Sequence, residues 1–185
     1  MSPTKVVRKK SGELPETHVQ YAALPWRIRE SLEIMLVTSR DTRRWVIPKG
    51  WPMKGLKPST TAAVEALEEA GVVGKIEKKK LGSYHYRKRL KNGAALLCRV
   101  DVFPLRVARQ RENWREKHQR MTHWRPYADA AEQVAEQELK ELILAFGESL
   151  PNEDQSGKAA AFPSAMAAQP FVENLKDWRA GPIAG

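Results

Sequence analysis

Cysteine is almost absent from this chain, since Cys98 is the single one among 185 residues. One cysteine cannot form a disulfide within the chain, so the sequence excludes the class of small domains held together by disulfide frameworks. Cys98 lies in the apolar run 94–103, where we expect a buried strand residue rather than a nucleophile. These observations favour a reducing compartment.

Long hydrophobic runs are also absent, because no uncharged apolar stretch approaches the ~18 residues needed to cross a bilayer. The first residues are polar and basic, and no apolar segment typical of a secretory signal follows them. We therefore expect a cytoplasmic protein without a membrane partner. The chain length suits one domain with flanking segments, since domains commonly have ~100–200 residues.

Acidic residues are outnumbered, with 22 Asp and Glu against 32 Lys and Arg, and the net charge is +10. This excess predicts an anionic partner. Aromatic residues make up only 8% of the chain, and no recognised nucleic-acid motif is present. A compact polyphosphate-bearing small molecule is the favoured partner, and nucleic acid is a less favoured one. The sequence indicates no oligomeric state.

The stretch 45–74 carries the most informative pattern. An apolar run enters a loop rich in Gly and Pro, and Ser59 stands at the expected N-cap of a helix that Gly71 ends. Inside that helix Glu65, Glu68 and Glu69 are related as i, i+3 and i+4. Their carboxylates therefore share one face, which we expect to be exposed, with Cβ atoms about 5–6 Å apart.

Three carboxylates on one face should repel each other, and a hard divalent cation would explain why they are grouped. Mg²⁺ binds a few carboxylates and completes its shell with waters and substrate phosphate oxygens. The alternative is an ordinary solvated face, since surface helices are often rich in Glu. The triplet alone does not decide between the two.

The same stretch resembles the signature of the Nudix hydrolases, G-x5-E-x7-R-E-U-x-E-E-x-G-U, where U is a bulky apolar residue. The matching positions are Gly50, Glu65, Glu68, Glu69, Gly71 and Val72. Leu56 stands where the first Glu is expected, Val64 where the Arg is expected, and Ala66 at a bulky position. That Arg normally orients the neighbouring carboxylates, so we expect its loss either to slow catalysis or to move the orienting role to another basic residue, with Arg44 or Arg87 as candidates.

The resemblance covers residues 19–146 and implies an α/β fold, an α/β/α sandwich around a mixed β-sheet. Within the family, the diphosphoinositol polyphosphate phosphohydrolases, which also act on diadenosine polyphosphates, are the most similar subgroup. The resemblance implies metal binding at Glu65, Glu69 and Gly50, and a base role for Glu68 in activating water. It also implies Mg²⁺ as the cofactor, with Mn²⁺ as the other candidate.

Substrate-side residues are predicted at two places. Ser39 and Arg40 match substrate-side positions of the subgroup. Arg87, Lys88, Arg89 and the later Arg120 are expected to clamp phosphates, because guanidinium groups bind phosphate oxygens in pairs.

Three functions remain open from the sequence. The first is a Mg²⁺-dependent hydrolase of a phosphoanhydride bond in a diphosphoinositol polyphosphate or a diadenosine polyphosphate. The second is a pyrophosphohydrolase of nucleoside triphosphates or RNA 5′ ends. The third is a binding module that holds a nucleotide or RNA without cleaving it, which the loss of Arg at position 64 would favour.

The remaining pattern predicts the order of elements. We expect a flexible basic tail at 1–16, the Nudix-like domain at 17–147, and a flexible low-complexity segment at 148–185 that includes a short final helix. Pro25 should restrict the first strand to an edge or an end of the sheet. A hairpin should turn at Lys91-Asn92-Gly93, and a helix over 128–146, with its acids in solvent, should stop at Gly147.

Overall fold

The computed structural model describes residues 17–90 and 93–150. The predicted basic tail, two residues of the predicted hairpin turn and the segment after residue 150 lie outside the described residues.

Within the described residues, eight strands form one mixed sheet. Their bounds are β1 Thr17–Ile28, β2 Leu32–Thr38, β3 Trp45–Val46, β4 Lys49–Gly50, β5 Val72–Ile76, β6 Gly82–Arg89, β7 Ala95–Gln110 and β8 Thr122–Pro126. The order is β3-β2-β1-β7-β5, while β4 pairs with β1, β6 with β7 and β8 with β2. β1 and β7 are parallel and the other described pairs are antiparallel. The sequence had predicted no strand at β8.

Helices cover both faces of this sheet. The helix α1 (Pro58–Ala70) lies on one face and packs its alanines against Met35, Val37 and Phe103. The helices α2 (Tyr127–Gln133) and α3 (Gln137–Ser149) lie on the other face, over a core that contains Trp26 and Tyr84. The predicted α/β/α sandwich is therefore confirmed. Within the described part of the chain, no helix combines the length and the apolar character needed to span a membrane.

Pro25 lies inside the sheet, which contradicts the predicted edge position. It pairs with Leu105 of β7 in the long parallel ladder. On the other side, β1 changes partner at this point, from β4 at Ala22 to β2 at Trp26. The missing N–H of Pro25 falls at this change of partner, so neither ladder loses a hydrogen bond there.

The start of α1 also differs from the prediction. Lys57 holds the N-cap position without a side-chain hydrogen bond, and Pro58 and Ser59 are already helical. Proline suits the first helical position, because its fixed φ is helical and its missing N–H has no partner there. The predicted stop is confirmed, since Gly71 has φ 70° and its N–H bonds the carbonyls of the last turn.

The predicted helix 128–146 is two helices with a break at Val134–Glu136. Val134 and Glu136 have extended backbones, and Glu136 becomes the N-cap of α3. The predicted stop at Gly147 is wrong, because α3 runs on to Ser149. Gly147 is instead buried against Tyr127, where a Cβ would lie 2.1 Å from the ring.

Candidate active site

The site begins where β4 meets the acidic face of α1. A Cβ placed on Gly50 would lie only 1.9 Å from Oε1 of Glu65, so glycine allows this carboxylate to lie against the strand. One residue earlier, the Lys49 N–H donates to Oε2 of Glu69 at 3.3 Å. The backbone of β4 therefore contacts two of the three predicted acids.

Glu65 is a carboxylate with a raised pKa. Burial, followed by the neighbouring charges of Glu69, Glu68 and Glu116, raises its pKa to about 7 against a smaller lowering by Arg120. No described side chain donates a hydrogen bond to it. A like-charge cluster of this kind favours either a proton or a bound cation.

Glu69 and Arg120 form a buried ion pair. Each side chain is 8% exposed, and the guanidinium of Arg120 contacts Oε1 of Glu69. Arg120 also donates to the carbonyl of Thr38 at 2.9 Å and to Glu116 at 2.5 Å. The expectation of an exposed acidic face is therefore wrong for Glu69.

Glu68 is held by Arg115. One guanidinium nitrogen of Arg115 lies 2.9 Å from each carboxylate oxygen of Glu68, and the arginine is 51% exposed. The Glu116 N–H donates to the Glu68 carbonyl at 3.0 Å. The segment 111–121, which joins β7 to β8, therefore lies along α1 and supplies two arginines and a fourth carboxylate.

Trp114 fixes this segment at the end of α1. A Cβ on Gly71 would lie 2.5 Å from the indole of Trp114, and the Arg111 N–H donates to the Gly71 carbonyl at 2.8 Å. Sequence reasoning missed Arg115 and Glu116, because the segment shows no strand or helix period. Its one available signal was the i, i+4 spacing of Glu116 and Arg120.

The described acids of this site lie close together without forming a closed set of metal ligands. Across residues 17–90 and 93–150, no three His, Cys, Asp or Glu side chains converge as a ligand shell. The chemistry of the donors nevertheless fits a hard divalent cation, because they are carboxylate oxygens and Glu65 is uncompensated. Arg115, which is exposed, can release Glu68, whereas the buried Arg120 holds Glu69. Glu65 is the residue whose carboxylate would hold such an ion, and the roles of Glu69 and Gly50 as further ligands and of Glu68 as the base stay predictions.

Ser39 and Arg40, the predicted substrate-side residues, lie in the β2–β3 turn. Ser39 Oγ shares a 2.6 Å hydrogen bond with Thr42 and accepts one from the Arg44 N–H at 3.2 Å. Arg40, 58% exposed, lies 3.6 Å from Glu116. Ser39 thus closes the turn, and Arg40 faces the acidic cluster from the solvent side.

The two candidates for the orienting arginine lie elsewhere. Arg44 pairs with Glu136 at 3.4 Å, and Arg87 is an exposed residue of β6. Arg120 is the arginine that contacts Glu69, although the sequence had placed it at a phosphate, a role that stays a prediction.

Glu136 is 11% exposed and its Oε2 is buried without a hydrogen bond, so the prediction of solvated acids in this region is wrong for it.

The three basic residues at the end of β6, Arg87, Lys88 and Arg89, do not all lie on the same face of the sheet. Side chains alternate along a strand, so Lys88 lies on one face while Arg87 and Arg89 lie on the other. The Lys88 ammonium lies 4.9 Å from the centre of the Trp51 ring. Of the three predicted phosphate-binding residues of β6, Lys88 is thus the one that lies beside Trp51, the residue after Gly50.

Lys49 lies on that same side of the sheet. Its ammonium is 5.5 Å from the centre of the Tyr86 ring, and burial lowers its pKa against the opposing influence of Glu69 and Glu136. The Tyr86 hydroxyl donates to Gln20 at 2.7 Å. The ammonium groups of Lys49 and Lys88 therefore lie against the aromatic rings of Tyr86 and Trp51.

Comparisons with known proteins support the resemblance in sequence. Nudix hydrolase 17, mitochondrial, of Arabidopsis thaliana is 28% identical over 67% of this chain and 66% of that protein. Nudix hydrolase 4 of the same plant is 27% identical over 68% of this chain and 60% of that protein. The chain spans about two thirds, or less, of the length of these curated relatives. No family model matches the chain.

Solved structures decide the fold. Caenorhabditis elegans Ap4A hydrolase superposes with a TM-score of 0.51 and 17% identity, covering 72% of this chain and 98% of that one. The NUDIX domain of Shewanella oneidensis NrtR, complexed with ADP ribose, superposes with a TM-score of 0.53 and 17% identity. The match covers 72% of this chain and 90% of that one. The chain has the Nudix fold. Leu56 and Val64, which depart from the Nudix signature, are therefore replacements within a retained fold.

We expect Gly50→Ala to displace the Glu65 carboxylate, because the added methyl group would overlap it. Overpacking of this kind costs about 1–3 kcal/mol, measured by urea unfolding. The matched double variant Gly50→Ala/Glu65→Asp, whose carboxylate is withdrawn by one methylene, should recover most of the loss. An unchanged stability of Gly50→Ala would contradict the close contact.

Proposed function

We propose that this Nudix protein is a divalent-metal-dependent hydrolase that cleaves a phosphoanhydride bond in a polyphosphate-bearing small molecule. The observation that carries the proposal is the uncompensated Glu65 carboxylate against Gly50, inside a group of four acids. The Nudix hydrolases named above support this reaction class. Mg²⁺ is the proposed ion, with Mn²⁺ as the other candidate.

A bound divalent ion would neutralise phosphate charge and lower the pKa of the attacking water. The chain's own residues supply the rest of the chemistry. Arg120 fixes Glu69 and Glu116, so these carboxylates keep their positions while the substrate binds. Glu68, once separated from the exposed Arg115, can accept the proton of the attacking water at its carboxylate. Lys49 and Lys88 place positive charge where phosphates leave the acidic cluster.

The substrate is proposed from two classes, diphosphoinositol polyphosphates and dinucleoside polyphosphates. One structural neighbour is described as an Ap4A hydrolase and another as an ADP-ribose complex, which supports a nucleotide. A second candidate function is a binding module without turnover. It is favoured by the arginines on Glu68 and Glu69, which occupy oxygens that a metal would need.

A phosphate-release screen separates these functions. Its panel contains inositol pyrophosphates, dinucleoside polyphosphates, nucleoside triphosphates and 5′-triphosphorylated RNA, each with Mg²⁺ or Mn²⁺. We expect metal-dependent release from a polyphosphate and its loss in Glu65→Gln. Glu77→Gln, which changes a partly exposed acid directly after β5, is the control variant. If a compound of the panel binds but neither Mg²⁺ nor Mn²⁺ supports phosphate release, the binding module is favoured.

Stability of the metal-free protein should fall as the pH rises. Glu65 has its pKa raised from 4.5 to about 7 in the folded state. Its favourable contribution is therefore complete below pH 4.5 and is lost as the pH passes through 7. The total loss is on the order of 3 kcal/mol, of which about 2 kcal/mol falls between pH 5.5 and 8. Urea unfolding in EDTA at pH 5.5 and 8 should show it in the wild type, and Glu65→Gln should have a flatter profile.

Domain limits and location also remain proposals. β1 begins at Thr17 and α3 ends at Ser149, which supports a domain close to the predicted 17–147. A cytoplasmic location stays a prediction, and several of the plant relatives are named as mitochondrial or chloroplastic proteins. Fractionation of cells that express the full chain would check it.

A further inference from the structure

Thr61 is a buried polar residue of α1 that the proposed function does not use. It is 0% exposed, and within the described residues its Oγ1 has no hydrogen-bond partner. Burying a hydroxyl without a partner costs free energy, and valine has a similar shape without this cost. A threonine at this position therefore calls for a polar group that its side chain can reach.

The carboxylate of Glu65 is such a group. Thr61, Glu65 and Glu69 follow each other at i, i+4 and i+8, so they form one ridge along α1. Glu65 lies against Gly50, and Glu69 accepts the Lys49 N–H at 3.3 Å, so this ridge runs along β4. The hydroxyl of Thr61 is the third polar group of the ridge.

Helix geometry directs the side chain of Glu65 towards Thr61. The Cα–Cβ bonds of a helix are tilted towards its N-terminus, so a long side chain covers the turn before its own Cα. Thr61 lies in that turn. The neighbouring ridge of α1 is fully buried in the core and consists of Ala62, Ala66 and Ala70. The Thr61 hydroxyl therefore lies where this core meets the acidic site.

A second acceptor competes for the same hydroxyl. A threonine in a helix adopts two rotamers, and its hydroxyl can bond the carbonyl four residues earlier. Here that carbonyl belongs to Lys57 and already accepts the Thr61 N–H at 2.9 Å. Glu65 accepts a hydrogen bond from no described side chain. The carboxylate therefore gains more from the hydroxyl than the carbonyl does.

We propose that Thr61 is a positioning residue, whose hydroxyl donates a hydrogen bond to the Glu65 carboxylate and holds it beside Gly50 for a divalent ion. The part that concerns the ion rests on the proposed function. Thr61 itself contacts neither the ion nor the substrate and acts through Glu65. A carboxylate that is already fixed binds a cation more tightly, because less side-chain freedom is lost on binding.

Binding of Mn²⁺ to the full-length protein without substrate tests this role. The free Mn²⁺ is measured by its electron paramagnetic resonance signal. Thr61→Val, which exchanges the hydroxyl for a methyl group, should weaken Mn²⁺ binding about tenfold, as is typical when a hydrogen-bonding partner of a metal ligand is lost. Thr61→Ser, which keeps the hydroxyl, should stay within about twofold of the wild type.

Thr60→Val is the matched control, because it makes the same substitution one residue away and off the ridge. It should change the Mn²⁺ affinity less than about twofold. Equal losses for Thr60→Val and Thr61→Val would overturn the role of this hydroxyl, and so would an unchanged affinity of Thr61→Val. Equal losses for Thr61→Ser and Thr61→Val would assign the effect to packing, which would also overturn it.

A double-mutant cycle in EDTA tests the hydrogen bond without any metal. At pH 8, Thr61→Val should raise the unfolding equilibrium constant about tenfold more in the wild type than in Glu65→Ala, which has no carboxylate. Equal effects in the two backgrounds would contradict the hydrogen bond. A Thr61→Val protein more stable than the wild type would contradict it too, since that result is expected for a hydroxyl without a partner.

The results also separate this inference from the proposed function. If Mn²⁺ binding depends on Thr61 while the screen shows no phosphate release, Thr61 keeps its role and the hydrolase function fails. Metal-dependent phosphate release by a protein whose Mn²⁺ affinity is insensitive to Thr61→Val would show the reverse. If the wild type binds no Mn²⁺, the metal-dependent function fails, and the cycle in EDTA decides the hydrogen bond.

Discussion

Replacing Arg120 by Met should destabilise the protein by about 3–5 kcal/mol, because it leaves the buried carboxylate of Glu69 without its partner. Glu116 and the Thr38 carbonyl lose hydrogen bonds at the same time. Burial already raises the pKa of Glu69, and Arg120 is the largest opposing influence. The loss should therefore be larger at pH 8 than at pH 5, where the carboxyl can protonate. Urea unfolding at the two pH values measures it.

A double-mutant cycle isolates this pair. Glu69→Gln alone leaves Arg120 with Glu116, and Arg120→Met/Glu69→Gln removes both charges, so the double variant should be more stable than Arg120→Met. Arg115→Met is the matched control, because its pair with Glu68 is exposed and worth about 0.2–1 kcal/mol. Equal destabilisation by Arg115→Met and Arg120→Met would contradict the buried pair.

Arg120 should also affect turnover. Its buried guanidinium contacts Glu69 of α1, so it is expected to do the orienting for which Val64 is unsuited. A charge-assisted hydrogen bond of about 1.5–3 kcal/mol corresponds to a tenfold or larger fall in rate if it acts in the transition state. Arg120→Lys, compared with Arg120→Met at a permissive temperature, shows whether charge alone restores the rate.

Restoring the expected arginine with Val64→Arg should unfold the domain rather than activate it. Val64 is 4% exposed, and a guanidinium placed there without a partner costs several kcal/mol. Melting temperature and turnover, measured together, should both fall. Val64→Met is the control, because it adds length without charge. It should lower the free energy of unfolding by no more than about 3 kcal/mol.

A stable Val64→Arg protein with raised turnover would contradict this expectation. It would show that the guanidinium reaches the carboxylates from position 64 and that Arg120 does not fill the orienting role.

Local patterns predicted much of the fold. The stop at Gly71 and the place of the three acids on one helix each depend on residues close in sequence, and the structure contains both features. The position of Pro25 was predicted wrongly. The sheet accepts a proline there because β1 pairs with β4 before it and with β2 after it. This change of partner depends on the assembled sheet and cannot be predicted from the local sequence.

The supporting residues of the site were harder to predict. Glu69 and Arg120 are 51 positions apart, and the segment that delivers Arg120 has no regular period. Glu136 likewise turns inward at a break between two helices, where helical spacing had predicted a continuous helix with its acids in solvent. In both cases a charged residue was assigned to the surface by its type, and tertiary contacts buried it.

The parallel pairing of β1 with β7 also determines when the site can form. Thr17 pairs with Leu97 and Trp26 with Arg106, so the central ladder joins segments about 80 residues apart. Pairings between such distant segments slow folding, because the chain loses the entropy of closing a long loop before the strand contacts form. β4 adds to β1, and Arg120 follows β7 in the chain. During synthesis, the acids of α1 therefore emerge well before the arginine that neutralises them, and the nascent helix carries unpaired negative charge until the central ladder closes.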